Sequence, residues 1–170
     1  MNFQIETAKQ EHIPAIVELM REFAEYENLL ESLEITAEKL YKAVFGDGSF
    51  VECLIVTSNE TPVGYALYYL NFSSFRGQTG VYLEDIYIKK DFRKYGIGEL
   101  MIKQIARAGK AEGAQRMDFQ VLDWNTSAIN FYKKHGAVID ESERHFKFTD
   151  EAFEKLAAVS SGGRQEIAEL

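Results

Sequence analysis

VYLEDIYIKKDFRKYGIG, residues 81 to 98, sets a strand, a basic bend and a helix start in direct succession. Val81, Tyr82, Leu83, Ile86, Tyr87 and Ile88 are β-branched, aromatic or aliphatic, the composition of a mostly buried strand. Glu84 and Asp85 interrupt that run and call for a reason, because a buried charge is costly unless paired or neutralised. Lys89, Lys90, Arg93 and Lys94 then place four cations within six residues of a chain whose net charge is −8. Gly96 and Gly98 let the backbone approach a bound group closely, where the pattern predicts a helix from Glu99. N–H groups at a helix start attract anions. Cations, glycines and a helix in that order point to a phosphate-bearing ligand.

Two common phosphate patterns do not fit. Gly96-Ile97-Gly98-Glu99-Leu100-Met101 lacks the third glycine of a dinucleotide fingerprint, and seven residues separate Ile88 from Gly96 where that fold turns almost at once. No Gly-Lys-Ser/Thr closes a P-loop. A turn with a solvated charge cluster is the remaining reading of these residues taken alone.

Composition narrows the class. A chain of 170 residues with 46% hydrophobic content suits one domain with a sizeable core, read here as residues 1–159, with 160–170 a flexible linker-like tail. Apolar runs are short and broken by charge, and Met1-Asn2-Phe3-Gln4 has neither the basic start nor the apolar stretch of a signal peptide. The expected location is the cytoplasm, with no membrane partner. The one cysteine, Cys53, excludes an intramolecular disulfide and a zinc cluster, and reads as a small buried hydrophobe. His12, His135 and His145 show no metal-ligand spacing. A sequence pI near 5.0 argues against sequence-independent nucleic-acid binding and suits a small cationic substrate.

Along the chain, Phe3 to Glu6 alternates as a strand, and Ile13, Ile16, Val17, Met20, Phe23 and Ala24 form the apolar stripe of a helix over 11–30. Thr36 caps a second helix, Ala37 to Phe45. Val51 to Thr57 and Val63 to Leu70 read as a hairpin, and Asn71 to Thr79 as a loop. A helix follows from Glu99 to Glu112, then a strand through Met117, Phe119 and Val121, then a helix capped by Asn125. Short strands are expected at Val138-Ile139 and His145 to Phe148. Asp150 is expected to cap a last helix reaching about Val159.

Arg93-Lys94-Tyr95-Gly96-Ile97-Gly98 fits the R/Q-x-x-G-x-G/A pyrophosphate motif of the GCN5-related N-acetyltransferase superfamily. Tyr82-Leu83-Glu84-Asp85 ahead of it, and Asn130-Phe131-Tyr132-Lys133-Lys134-His135-Gly136-Ala137 behind it, resemble the diamine (spermidine/spermine) and thialysine acetyltransferase branch, over about Phe3 to Phe148. The resemblance implies an α/β fold with a mixed, mostly antiparallel sheet of six to seven strands, splayed at its centre and flanked by helices. It implies acetyl-CoA as cofactor, a homodimer, no metal, and direct transfer in a ternary complex to a primary amine of a small cationic acceptor. A polyamine, diamine or thialysine-like amino acid is the first choice. Peptide N-termini, aminoglycosides, or a non-catalytic acyl-CoA sensor are the alternatives.

An alkyl ammonium has a pKa of about 10 and must shed a proton before it attacks. By the resemblance Glu84 takes that proton, and Tyr132 protonates the departing sulfur. Backbone N–H groups around Ile86, Tyr87 and Ile88 serve the oxyanion. Arg93, Lys94, Tyr95, Gly96, Ile97, Gly98 and Glu99 hold the pyrophosphate, and Asn125 touches the cofactor. Tyr26, Glu27, Glu84, Asp85 and Glu141 are the substrate-binding candidates. Neighbouring residues of a strand face opposite ways, so Glu84 and Asp85 can share a site only where a bulge re-aims one of them.

Overall fold

A computed structural model describes residues 2–158 of the chain. In the first compact unit, up to Leu122, the sheet runs in the order β1 (Phe3–Thr7), β2 (Glu52–Ser58), β3 (Thr61–Ser73), β4 (Gln78–Ile88) and β5 (Met117–Asp118). The first four pair antiparallel, and β5 joins β4 in parallel. Helices α1 (Ile13–Tyr26) and α2 (Ala37–Phe45) cover one face, and α3 (Ile97–Ala111) covers the other.

The period-2 and period-3.6 patterns meet in two cores. Ile16, Leu19, Leu40, Cys53, Ile55, Tyr65 and Tyr87 pack together under α1 and α2. Leu54, Val56, Ala66, Leu83, Met101 and Ile105 do so under α3. Each large apolar side chain removed from water contributes roughly 1.5–3 kcal/mol. Gly109 sets the approach of α3 to β4, since a Cβ there would collide with the Val81 side chain. The Thr36 hydroxyl caps α2 by accepting the Lys39 N–H at 3.2 Å.

Several boundaries depart from the sequence reading. The helix expected over 11–30 divides into a 3-10 turn at Gln10–His12, α1, and a 3-10 turn at Leu30–Ser32. Asn28, at φ 59°, takes the left-handed conformation that stops α1. The expected loop from Asn71 to Thr79 is mostly strand. Asn71, Phe72 and Ser73 pair with Gly80, Thr79 and Gln78, a cross-strand match that polar composition conceals. α3 begins at Ile97 rather than Glu99, because Gly96 at φ 78° is its N-cap. β5 ends at Asp118, short of the expected Val121.

The second unit, described from Asp123 to Ala158, holds α4 (Thr126–Lys134) and α5 (Asp150–Ala157). The α5 N-cap is Thr149 rather than Asp150. No strand forms at 138–139 or 145–148, so the sheet has five strands among the described residues instead of six to seven. A strand exists only where a neighbour supplies N–H and C=O groups. Val138, Ile139, Phe146 and Phe148 carry strand-like side chains but stand exposed. The expected tail, 160–170, lies outside the described residues.

Candidate active site

The β3–β4 ladder slips by one residue at the two adjacent carboxylates. Leu67 stands opposite Asp85 and Tyr68 opposite Leu83, so Glu84 is the extra residue of a β-bulge. The bulge bends the strand and re-aims side chains. Leu83 goes into the core under α3, while Glu84 and Asp85 both meet tyrosines of β3. The Tyr65 hydroxyl donates to Asp85 Oδ2 at 3.2 Å, and the Tyr69 hydroxyl to Glu84 Oε2 at 3.5 Å. Both contacts are the diagonal ones that an antiparallel ladder allows. Tyr82 stacks on Tyr69 with ring centroids 5.2 Å apart, and Phe50 meets Tyr69 edge-on.

Helix α1 brings its C-terminal half to the end of β4. Lys89 Nζ lies 2.8 Å from Glu22, and the Tyr87 hydroxyl donates to the same carboxylate at 3.4 Å. The Arg93 guanidinium sits 4.6 Å over the Tyr26 ring, and its Nε donates to the Ile88 carbonyl at 2.8 Å. These ties hold the half-buried Glu27, next in sequence after α1, within electrostatic reach of Asp85. Burial, repulsion from Glu84 and a smaller push from Glu27 raise Asp85 to about 6, against the pull of the Tyr65 hydrogen bond. Burial also raises Glu27. Negative charge crowded into a partly dry site is what a multiply charged cation would relieve.

Beyond the bulge β4 has an open flank. β5 pairs only with Val81 and Tyr82, so Leu83 to Ile88 have no β5 partner among the described residues. Lys89 turns its N–H to Val63 on β3. Alternation then directs the N–H groups of Ile86 and Ile88 to the flank that β5 leaves, the splay expected of the central strands.

The turn from Arg93 to Gly98 leads into the open N-terminus of α3. Lys94 and Gly96 take left-handed conformations, at φ 69° and 78°, and the chain enters α3 through Gly96. A Cβ on Gly96 would meet nothing within 4 Å, so the space above this helix start is open. Lys94 and Tyr95 are exposed beside it, with Tyr95 propped at 5.8 Å against Phe3 of β1. Two of the four cations face elsewhere, Lys89 toward Glu22 and Arg93 toward Tyr26.

The remaining candidates belong to the second unit. Asn125 is buried, and its side chain accepts the Ala128 N–H at 3.2 Å as the cap of α4. Tyr132 lies on α4 against Phe131, and burial pushes its phenol up to about 12. Glu141 is exposed in the 140–143 turn. Burial, with help from Glu52 and Asp85, pushes the Cys53 thiol up to about 12, which suits a core residue and not a nucleophile. Tyr65 and Tyr69 escaped the sequence reading, because their diagonal relation to Asp85 and Glu84 depends on a register that composition does not state.

The chain is similar to several known proteins. A thialysine N-epsilon-acetyltransferase from Bos taurus is 38% identical over 164 residues, covering 90% of this chain and 96% of its own. A human spermidine/spermine N(1)-acetyltransferase-like protein 1 is 34% identical over 91% of this chain but only 24% of its own. An integron cassette protein from the mobile metagenome of V. cholerae shares the fold, with a TM-score of 0.78, 23% identity and coverage of 94% of this chain and 99% of its own. The chain is an N-acetyltransferase. Because the sequence profile of the acetyltransferase (GNAT) family matches residues 13–137, most of the sheet and α4 included, the chain belongs to that family.

Proposed function

We propose that this N-acetyltransferase moves an acetyl group from acetyl-CoA to a primary amine of a small dicationic acceptor, a diamine, a polyamine or a thialysine-like amino acid. One observation carries the reading: the β4 bulge turns Glu84 and Asp85 to neighbouring tyrosines, with Glu27 in electrostatic reach. The thialysine and spermidine/spermine names of the relatives support the same acceptor chemistry.

Glu84, exposed at the bulge, takes the proton of the attacking ammonium through water. Asp85 and Glu27 hold the second positive charge, and Tyr26 and Glu141 complete the acceptor contacts. The N–H groups of Gly96, Ile97, Gly98 and Glu99, with Lys94, Tyr95 and Arg93, hold the pyrophosphate, and Asn125 adds a contact to the cofactor. Bound acetyl-CoA supplies an activated acyl group on a thiol leaving group. The N–H groups of Ile86 and Ile88 donate to the carbonyl oxygen as it takes up charge, while the Tyr87 N–H faces Tyr65 on β3. Tyr132 keeps its proton until the sulfur needs it, and transfer is direct, with both substrates bound.

The reading treats residues 1–159 as one acetyltransferase domain working in the cytoplasm as a homodimer, whose mass in solution light scattering measures. A panel of amines assayed for thiol release with acetyl-CoA tests the chemistry. Diamines and lysine-like amines should be turned over far better than monoamines of equal length, aminoglycosides or peptide N-termini. Tight CoA binding without thiol release from any amine would identify a sensor and sink the proposal.

A further inference from the structure

We propose that Tyr65 is a positioning residue for acceptor choice: its buried hydroxyl, bonded to Asp85 Oδ2, holds that carboxylate charged and aimed for the second cation of the acceptor. This rests on the reading that Asp85 receives that cation. Tyr65 is fully buried and pairs across the ladder with Tyr87, their rings 6.4 Å apart. A phenylalanine would fill such a place without a polar group to satisfy, whereas a buried phenol needs a partner. The partner found is not a backbone carbonyl but Asp85, at 3.2 Å.

The groups around Asp85 show what that bond does. Glu84 adjoins it on β4, Glu27 approaches from α1, Cys53 from β2 and Tyr65 from β3. The two glutamates disfavour a charge on Asp85, and the Cys53 thiol stays neutral. Of these four, Tyr65 is the one that favours the charge. With that bond in place, burial and the two glutamates still raise Asp85 to about 6. Loss of the hydroxyl moves it further up, leaving the carboxyl part neutral near pH 7 and free to turn away. A neutral carboxyl does not discriminate a dication from a monocation.

Tyr65→Phe in the full chain tests this, with Asp85→Asn beside it. Titration of the Asp85 carboxyl by carbon NMR, without ligands, should show a higher midpoint in Tyr65→Phe. Steady-state assays with 1,3-diaminopropane and propylamine at pH 6.5 should show KM for the diamine raised about tenfold. The turnover number and the monoamine KM should stay within about twofold, and the diamine preference should recover as pH rises. Lower thermal stability with an unmoved Asp85 midpoint and an unmoved diamine-to-monoamine ratio would make Tyr65 a core residue only and overturn the proposal. If Asp85→Asn changes that ratio and Tyr65→Phe does not, Tyr65 alone loses its role. If Asp85→Asn leaves the ratio unchanged, the assignment of the second cation to Asp85 fails, and the proposal with it.

Discussion

Asp85 is held against its own charge. Its ordinary pKa of 3.8 rises to about 6 in the fold, so the native state binds this proton more tightly than the unfolded chain does. The stability it contributes is therefore complete below about pH 4 and lost as pH rises through about 6. Asp85→Asn should stabilise the protein at pH 8 by about 1–3 kcal/mol, a gain that fades below pH 6 and vanishes near pH 4; denaturant melts at the three pH values measure it. The same variant should lose its preference for diamines, the exchange of stability for function common at active sites. Tyr132 is shifted the same way: burial holds its proton to about 12, which suits a donor and not a base. Tyr132→Phe should lower turnover by ~10²–10⁴ while CoA affinity holds within about threefold, read by single-turnover assays beside calorimetry. Unchanged turnover would remove Tyr132 from the chemistry.

At the scale of the element, the bulge in β4 makes a site from a strand. Leu83 and Asp85 face adjacent residues of β3, Tyr68 and Leu67, so the ladder would close without Glu84. Deleting Glu84 should leave both cores in register and the fold intact, with a cooperative melt and an unchanged circular dichroism spectrum. Activity should fall by ~10²–10⁴, the worth of a general base. A chain that fails to fold would show that the bulge also shapes the sheet. The turn into α3 was legible because its cue is local: cations, Gly96 and the first apolar helix residue stand within a few positions. The meeting of Glu84 and Asp85 was legible only as a condition, since it needed a bulge whose place depends on β3. The strands expected after α4 failed for the same reason, as an alternating segment carries no information about who pairs with it.

For the whole molecule, net charge becomes a rate effect. A chain at −8 with Glu27, Glu84 and Asp85 grouped on one side of its sheet attracts cations over about a Debye length, ~10 Å at 0.1 M salt. Raising sodium chloride from about 20 to about 300 mM should increase KM for a diamine several-fold and for a monoamine less. Equal salt sensitivity for both would count against the paired-cation site. α1 connects the scales: Glu22 and Tyr26, near its C-terminal end, engage Lys89 and Arg93 beyond β4, so the end of β4 and the basic turn share one support.

Within short windows the amino-acid order was enough. Apolar spacing placed β2 and the body of α1, Thr36 and Asn125 announced the caps of α2 and α4, and the glycines after Arg93 announced the turn into α3. These depend on chemistry between residues a few positions apart, which the order of the chain states directly. Tyr65 on Asp85, Lys89 on Glu22 and the slip that frees Glu84 join residues far apart in sequence. Their meeting depends on strand register and on where α1 lands, and only the packed fold sets those, because a single-residue shift of register sends every side chain of a strand to its other face.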